Sequence, residues 1–243
     1  MNLTGKNAIV TGGGARVGKA ISLALAEAGA RVYIHYNSSA DAANSVRDQI
    51  VASGGVAAAG PADLSDPELA RQLISDAEAA LGPISILVNN ASGFATDDIA
   101  TVSVGALRST NAVSVESPVM LIQAMALALP QDLDAAVVNI TDARTMHPYK
   151  KHLSYLLAKG AVDTLTRAAA LDLAPQIRVN AVALGVILPP ADQSDGYAAN
   201  LAASLPLARV GGASVVADTV VFLCRNDFIT GEIIRVDGGA HLQ

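Results

Sequence analysis

Asn7-Ala8-Ile9-Val10-Thr11-Gly12-Gly13-Gly14-Ala15-Arg16-Val17-Gly18 is the stretch on which the reading of the fold turns. Asn7–Thr11 is a short run of buried-strand type, and Lys19–Ala28 is Ala-rich and helix-forming until Gly29 stops it. Between them lie three consecutive glycines, with a fourth at Gly18. Glycines let a strand turn tightly into a helix and let a pyrophosphate approach the backbone. The helix start then presents N–H groups and the positive end of its dipole to that anion. A glycine cluster following an N-terminal strand and opening a helix reads as a dinucleotide-binding turn. Gly12, Val17 and Gly18 are its candidate cofactor-binding positions. Arg16 reads either as a solvated arginine at a helix start or as a cation aimed at a cofactor phosphate; the second reading is preferred.

Outward from this turn the same alternation continues. Arg31–Tyr36, Val56–Ala62, Ile84–Asn89, Ala135–Thr141, Ile177–Ala183 and Glu232–Val236 read as strands. Ala40–Ala52, Pro67–Leu81, Val104–Leu129, His152–Leu173 and Ser214–Cys224 read as helices. Pro67 in a first turn and Gly82 just past an end follow the usual asymmetry of helix termini. Such alternation predicts an α/β fold, a parallel sheet with helices on both faces, as one domain over 1–243. Residues 186–212 break the rhythm with Pro189, Pro190, Gly196, Pro206, Gly211 and Gly212. An irregular stretch near the carboxyl ends of the strands predicts a substrate lid there.

Composition narrows the function classes. Of 243 residues, 51% are hydrophobic and 16% charged, which excludes a disordered chain. No apolar run is read as approaching the ~20 residues of a membrane span, and the N-terminus lacks the pattern of a signal peptide. The single cysteine, Cys224, cannot form an internal disulfide. The expectation is a cytoplasmic protein with no membrane partner. A net charge of −6 without clustered Lys and Arg speaks against a nucleic-acid partner. Histidines and carboxylates are scattered without ligand spacing, so no metal site is expected.

Chemistry-bearing residues follow the strand ends. An acid at the end of strand two would bind the adenosine ribose hydroxyls and repel a 2′-phosphate. Here the segment is His35-Tyr36-Asn37-Ser38-Ser39, with no acid before Asp41. The neutral donors of Ser38 and Ser39, with Arg16 nearby, suit a phosphate and favour NADPH. Alternatively the two serines cap the next helix. Asp63-Leu64 brackets the adenine, or Asp63 caps the helix ahead of Pro67. Tyr155 and Lys159 stand at i and i+4, on one helix face. A nearby ammonium lowers a tyrosine pKa, so that the phenol donates a proton to a group receiving hydride. Asn111, in the long helix, offers an amide to hold a water near Lys159, or is an ordinary exposed residue. His147 and His152, with Lys150 and Lys151, read as a solvated loop; His35 reads as packed near the adenine.

The chain resembles the short-chain dehydrogenase/reductase family through T-G-x-x-x-x-x-G at Thr11–Gly18, N-N-A at Asn89–Ala91, Y-x-x-x-K at Tyr155–Lys159 and V-D-G-G at Val236–Gly239. The resemblance implies a single-domain Rossmann fold with a doubly wound, seven-stranded parallel sheet, a nicotinamide cofactor and a homotetramer or homodimer. It departs from the common pattern in three places. Asp142 stands where most members carry a serine, Leu184-Gly185 where most carry Pro-Gly, and Arg16 where many carry glycine. These departures resemble the pteridine reductase and dihydromonapterin reductase branch, as do H-Y-x-x-S at His35–Ser39 and N-A-S-x-F at Asn90–Phe94. That branch carries an arginine where this chain has Ser38. By this likeness Asn90, Ala91, Ser92, Lys159 and Gly185 lie along the cofactor. Phe94 stacks on the substrate, Ser92 and Arg16 touch substrate or phosphate, and Asp142 with Tyr155 handles the proton. The expected activity is NADPH-dependent reduction of a pteridine. The competing expectations are a carbonyl reductase, such as a 3-oxoacyl thioester reductase, and a non-catalytic NADP-binding regulator.

Overall fold

The computed structural model describes residues 1–188 and 200–242. Residues 189–199, the middle of the predicted lid, lie outside the described residues. Seven parallel strands form one sheet in the order β3-β2-β1-β4-β5-β6-β7. They are β1 (Asn7–Val10), β2 (Arg31–Tyr36), β3 (Ala57–Pro61), β4 (Ile84–Asn89), β5 (Ala135–Asp142), β6 (Ile177–Leu184) and β7 (Ile233–Val236). The helices are α1 (Arg16–Glu27), α2 (Ala40–Ala52), α3 (Pro67–Leu81), α4 (Val104–Asn111), α5 (Ser117–Ala128), α6 (Leu153–Leu173) and α7 (Ala213–Arg225).

Successive strand residues point to opposite faces, and here both faces are covered. In β1, Ala8 and Val10 join one apolar cluster with Ile21 and Leu25 of α1 and Val216 and Val220 of α7. Ile9 between them joins the other, with Leu73 of α3, Leu121 of α5 and Ala169 of α6. That double burial is why the strands read as unbroken apolar runs rather than as alternating ones. The sheet order reverses between β1 and β4. Connections leave their strands in opposite directions there, which opens a crevice at the carboxyl ends.

Two expectations about helices need correction. Val104–Leu129 is not one α-helix: a π-turn over Ala112–Glu116 separates α4 from α5. Such turns insert one residue into the helical ladder and are frequent at functional sites. Also, the 25-residue run Val104–Ala128, with mean hydropathy 1.2, does reach the length and apolarity of a membrane-crossing helix. In the fold it packs on α3 and α6, which explains its apolar face. A third correction concerns the cap of α3. Asp66, not Asp63, accepts the Glu68 N–H and caps that helix, with Pro67 following.

Candidate active site

The glycine turn is held by side chains of Thr11, Ser22, Asn90 and His35, Ser22 donating to the Gly13 carbonyl at 3.0 Å. Thr11 Oγ1 accepts the N–H groups of Asn90 and Ala91, at 2.9 Å each, joining the ends of β1 and β4. The Asn90 amide donates to the carbonyls of Thr11 and Gly12. His35 Nδ1 accepts the Gly12 N–H at 3.1 Å, while Nε2 donates to the Ala62 carbonyl at 2.9 Å. This fixes a neutral tautomer, and burial holds the His35 pKa below its ordinary value. The sequence reading put His35 beside the adenine; the structure makes it a strap between the glycine turn and the end of β3.

The glycines answer to packing. A Cβ on Gly18 would lie 2.1 Å from the Gly12 carbonyl oxygen, and one on Gly14 2.8 Å from the backbone of Ala43 in α2. Gly185 sits against Asp237, where a Cβ would come within 2.6 Å. Ala15, at the cap position of α1, makes no side-chain capping hydrogen bond, and a helix start of this kind suits an anion. Arg16 opens that helix with φ +49°, a left-handed conformation that costs a non-glycine residue about 1 kcal/mol. Ser39 occupies the cap position of α2, yet its side chain makes no capping hydrogen bond. The capping reading of the serine pair is therefore set aside. Asn37, Ser38 and Ser39 are exposed after the half-buried Tyr36. Asp63 is exposed and accepts the Ser65 N–H, while Leu64 is buried beside it. The donor set, an uncapped helix start flanked by an arginine and exposed serine hydroxyls, fits a dinucleotide carrying an extra phosphate.

Across the crevice, Asp142 ends β5. Its Oδ1 accepts the Arg144 N–H at 2.8 Å, and its Oδ2 accepts two phenols, Tyr155 and Tyr149, each at 3.2 Å. Asp142 is 9% exposed, and burial drives its pKa above the ordinary carboxylate range. Lys159 is fully enclosed. Its ammonium donates to the Ile140 carbonyl at 2.8 Å and lies 5.5 Å from the centre of the Tyr155 ring. Burial pulls its pKa down to about 8, against the pull of Asp142 and Asp163. The Tyr155 pKa does not fall. Burial, then the charge of Asp142, raises it.

Three anchors set the position of the catalytic helix α6. Asn89, paired with Asn139 across the sheet, donates to its amide oxygen at 2.8 Å, and Asn139 donates to Thr166. Buried Asp163 accepts the hydroxyls of Thr141, at 2.6 Å, and Thr145, at 2.7 Å. Asp97 accepts the N–H and hydroxyl of Ser154 in the first turn. Asp163 was signalled by its i+4 spacing from Lys159. Asp97 and Tyr149 lie on loops and gave no periodic signal.

Phe94 is 59% exposed and its edge meets Tyr155, with ring centres 4.9 Å apart. His152 stacks on it at 3.9 Å and 20°, its Nδ1 donating to the Ala95 carbonyl at 2.6 Å. His152 is therefore a partner of the site rather than part of a solvated loop. Ser92 contacts the Ser114 hydroxyl at 3.3 Å. Asn111 is exposed, and its amide donates to Glu116 at 2.9 Å, while the ammonium it was expected to serve is bonded to Ile140.

A strand-to-helix glycine turn facing a Tyr–Lys–Asp cluster across a switch-point crevice defines a dinucleotide-dependent oxidoreductase of Rossmann type. Comparison with known proteins agrees. A family model described as enoyl-(acyl carrier protein) reductase matches residues 14–241. An uncharacterized oxidoreductase of Mycobacterium tuberculosis is 36% identical over 98% of this chain and 92% of its own. The L-xylulose reductase of Bos taurus is 33% identical over 98% of both. The crystal structure of FolM alternative dihydrofolate reductase 1 from Brucella canis, complexed with NADP, is 39% identical. It superposes with a TM-score of 0.95 over 100% of this chain and 96% of that one. The chain belongs to the short-chain dehydrogenase/reductase family.

Proposed function

We propose that the protein is an NADPH-dependent reductase of a pteridine of the dihydrobiopterin, dihydromonapterin or dihydrofolate type. The observation that carries the reading is the carboxyl of Asp142, buried at the end of β5 and bonded to Tyr155 beside an exposed Phe94. The 39% identity to a protein named an alternative dihydrofolate reductase and crystallised with NADP supports it.

NADPH, when bound, supplies the hydride. Gly12, Arg16, Val17 and Gly18 would hold its pyrophosphate, and Arg16 with Ser38 and Ser39 its 2′-phosphate. Tyr36, Asn37, Asp63 and Leu64 would flank the adenosine. Asn90, Ala91, Ser92, Lys159 and Gly185 would line the nicotinamide end. A C=N bond that accepts hydride at carbon needs a proton at nitrogen. A buried carboxylic acid is suited to deliver it near neutral pH. Burial raises the Asp142 pKa, which shifts it toward the protonated form relative to an exposed aspartate. Tyr155, hydrogen-bonded to Oδ2, passes a proton toward the substrate as Asp142 re-protonates it. Phe94 offers a flat apolar face for a heteroaromatic ring, braced from behind by His152.

The competing reading is a carbonyl reductase, favoured by the likeness to L-xylulose reductase. Against it, Asp142 stands where most members of the family carry a serine hydroxyl. We infer further a homotetramer or dimer in the cytoplasm; the exposed Leu127 of α5 and Leu171 of α6, each 83% accessible, support an oligomer.

The deciding experiment follows NADPH oxidation, with NADH in parallel, against dihydrobiopterin, dihydromonapterin, dihydrofolate and an acetoacetyl thioester. Turnover of a pterin that Tyr155→Phe abolishes supports the proposal. Turnover of the thioester alone replaces it with the carbonyl reductase.

A further inference from the structure

Asp142 carries two phenols on one oxygen. Tyr155 meets Phe94 and lies beside Lys159. Tyr149 meets the His152 ring edge-on, with ring centres 5.8 Å apart. It is half-buried, and its ring lines a second cleft of about 300 Å³ with Asp98, Thr145, Lys151 and Leu156. Asp142, Tyr155 and Phe94 are not among the residues that line that cleft, and the Tyr149 hydroxyl links it to Asp142. The third partner of Asp142, the Arg144 N–H, is a backbone amide and cannot pass a proton on. Among the described residues, Tyr149 is thus the one hydroxyl that joins Asp142 to the outer cleft.

We propose that Tyr149 is the positioning residue that returns a proton to Asp142 from the outer cleft after each turnover. The inference rests on the reading of Asp142 as the proton source. The exchange balances. Tyr155 gives its hydroxyl proton to the substrate nitrogen and takes one from the Asp142 carboxyl. The Asp142 carboxylate takes the Tyr149 hydroxyl proton, and the Tyr149 oxygen takes one from water in the cleft. One proton enters, one leaves with the product, and all three side chains return to their starting states. Separate entry would let the site refill while the substrate covers the crevice, so water need not reach the reacting atoms.

The groups facing Asp142 are the Arg144 N–H and Tyr149 on its own loop and Tyr155 and Lys159 on α6, and the Arg144 guanidinium acts on Tyr149. Tyr149→Phe removes one hydroxyl and keeps the ring, so each of the others stays in place. A donor to the ionised carboxylate favours that form, so its loss should move the titration of Asp142 to higher pH. The readout is the carbon-13 resonance of the Asp142 carboxyl, assigned by its absence in Asp142→Asn. In turnover, Tyr149→Phe should lower kcat by about tenfold or more with KM within about twofold, and added imidazole should restore it as a substitute proton carrier. NADPH affinity, read by fluorescence, should be unchanged. An unmoved Asp142 titration, or a kcat loss that imidazole leaves untouched, overturns the proposal. If the wild type turns over no pterin but the titration moves as expected, the substrate reading fails and the Tyr149–Asp142 coupling stands.

Discussion

At the residue scale, Asp142 and Lys159 are both buried with ionisable ends, and each is pushed toward its neutral form. Asp142→Asn keeps the volume and removes the proton. Its kcat should fall by about 10² or more while NADPH binding, followed by fluorescence, persists. Unchanged turnover would remove Asp142 from the chemistry. The pH dependence has a definite sign. A lysine depressed to about 8 by burial loses its ammonium as pH rises through that value, and Asp142 loses its proton in the same direction. Reduction should therefore weaken above about pH 8. Lys159→Arg, which keeps its charge at every accessible pH, should lose the lysine's share of that limb. A profile identical in the variant would separate Lys159 from the limb. The Tyr155–Lys159 pair was legible from spacing alone, because i and i+4 share a helix face whatever the fold. The direction of the Tyr155 pKa was not: it depends on burial and on the charge of Asp142, which only the fold brings to it.

At the element scale, the first strand–turn–helix unit was readable because its constraint is local. Gly18 must be glycine: its Cβ would sit 2.1 Å from the Gly12 oxygen, a backbone atom that cannot swing aside. Gly18→Ala should cost about 3 kcal/mol, lowering Tm by about 6–12 °C in a protein of this size, and should weaken NADPH binding by displacing the turn. A variant with wild-type Tm would mean the turn can open without loss. The break between α4 and α5 was not readable. Periodicity sees only the spacing of apolar residues, and a π-turn shifts that spacing by one residue without changing composition. Nor was it readable that the Asn111 amide, at the junction, donates to Glu116.

At the scale of the whole molecule, Cys224 lies at the centre of the cluster formed by α1, α7 and the sheet, fully enclosed. Burial drives its thiol up to about 12, leaving almost no thiolate at neutral pH. It should react with a disulfide reagent only through opening of the core. NADPH at about 100 times its Kd should then slow labelling about 100-fold, since it stabilises the native state by about 2.7 kcal/mol. Fast labelling that ignores both denaturant and NADPH would show that α7 detaches on its own. The strand and helix alternation, the dinucleotide turn and the catalytic pair were determined by the sequence, because each rests on short-range rules of period, capping and backbone sterics. The tertiary structure alone decided the rest. Thr141 and Thr145 hold α6 through Asp163, Asn139 through Thr166 and Asp97 through Ser154, His152 braces Phe94, and Tyr149 meets Asp142 seven residues back along a looped backbone. Those contacts arise from where the chain returns in space, and no periodicity along it encodes them.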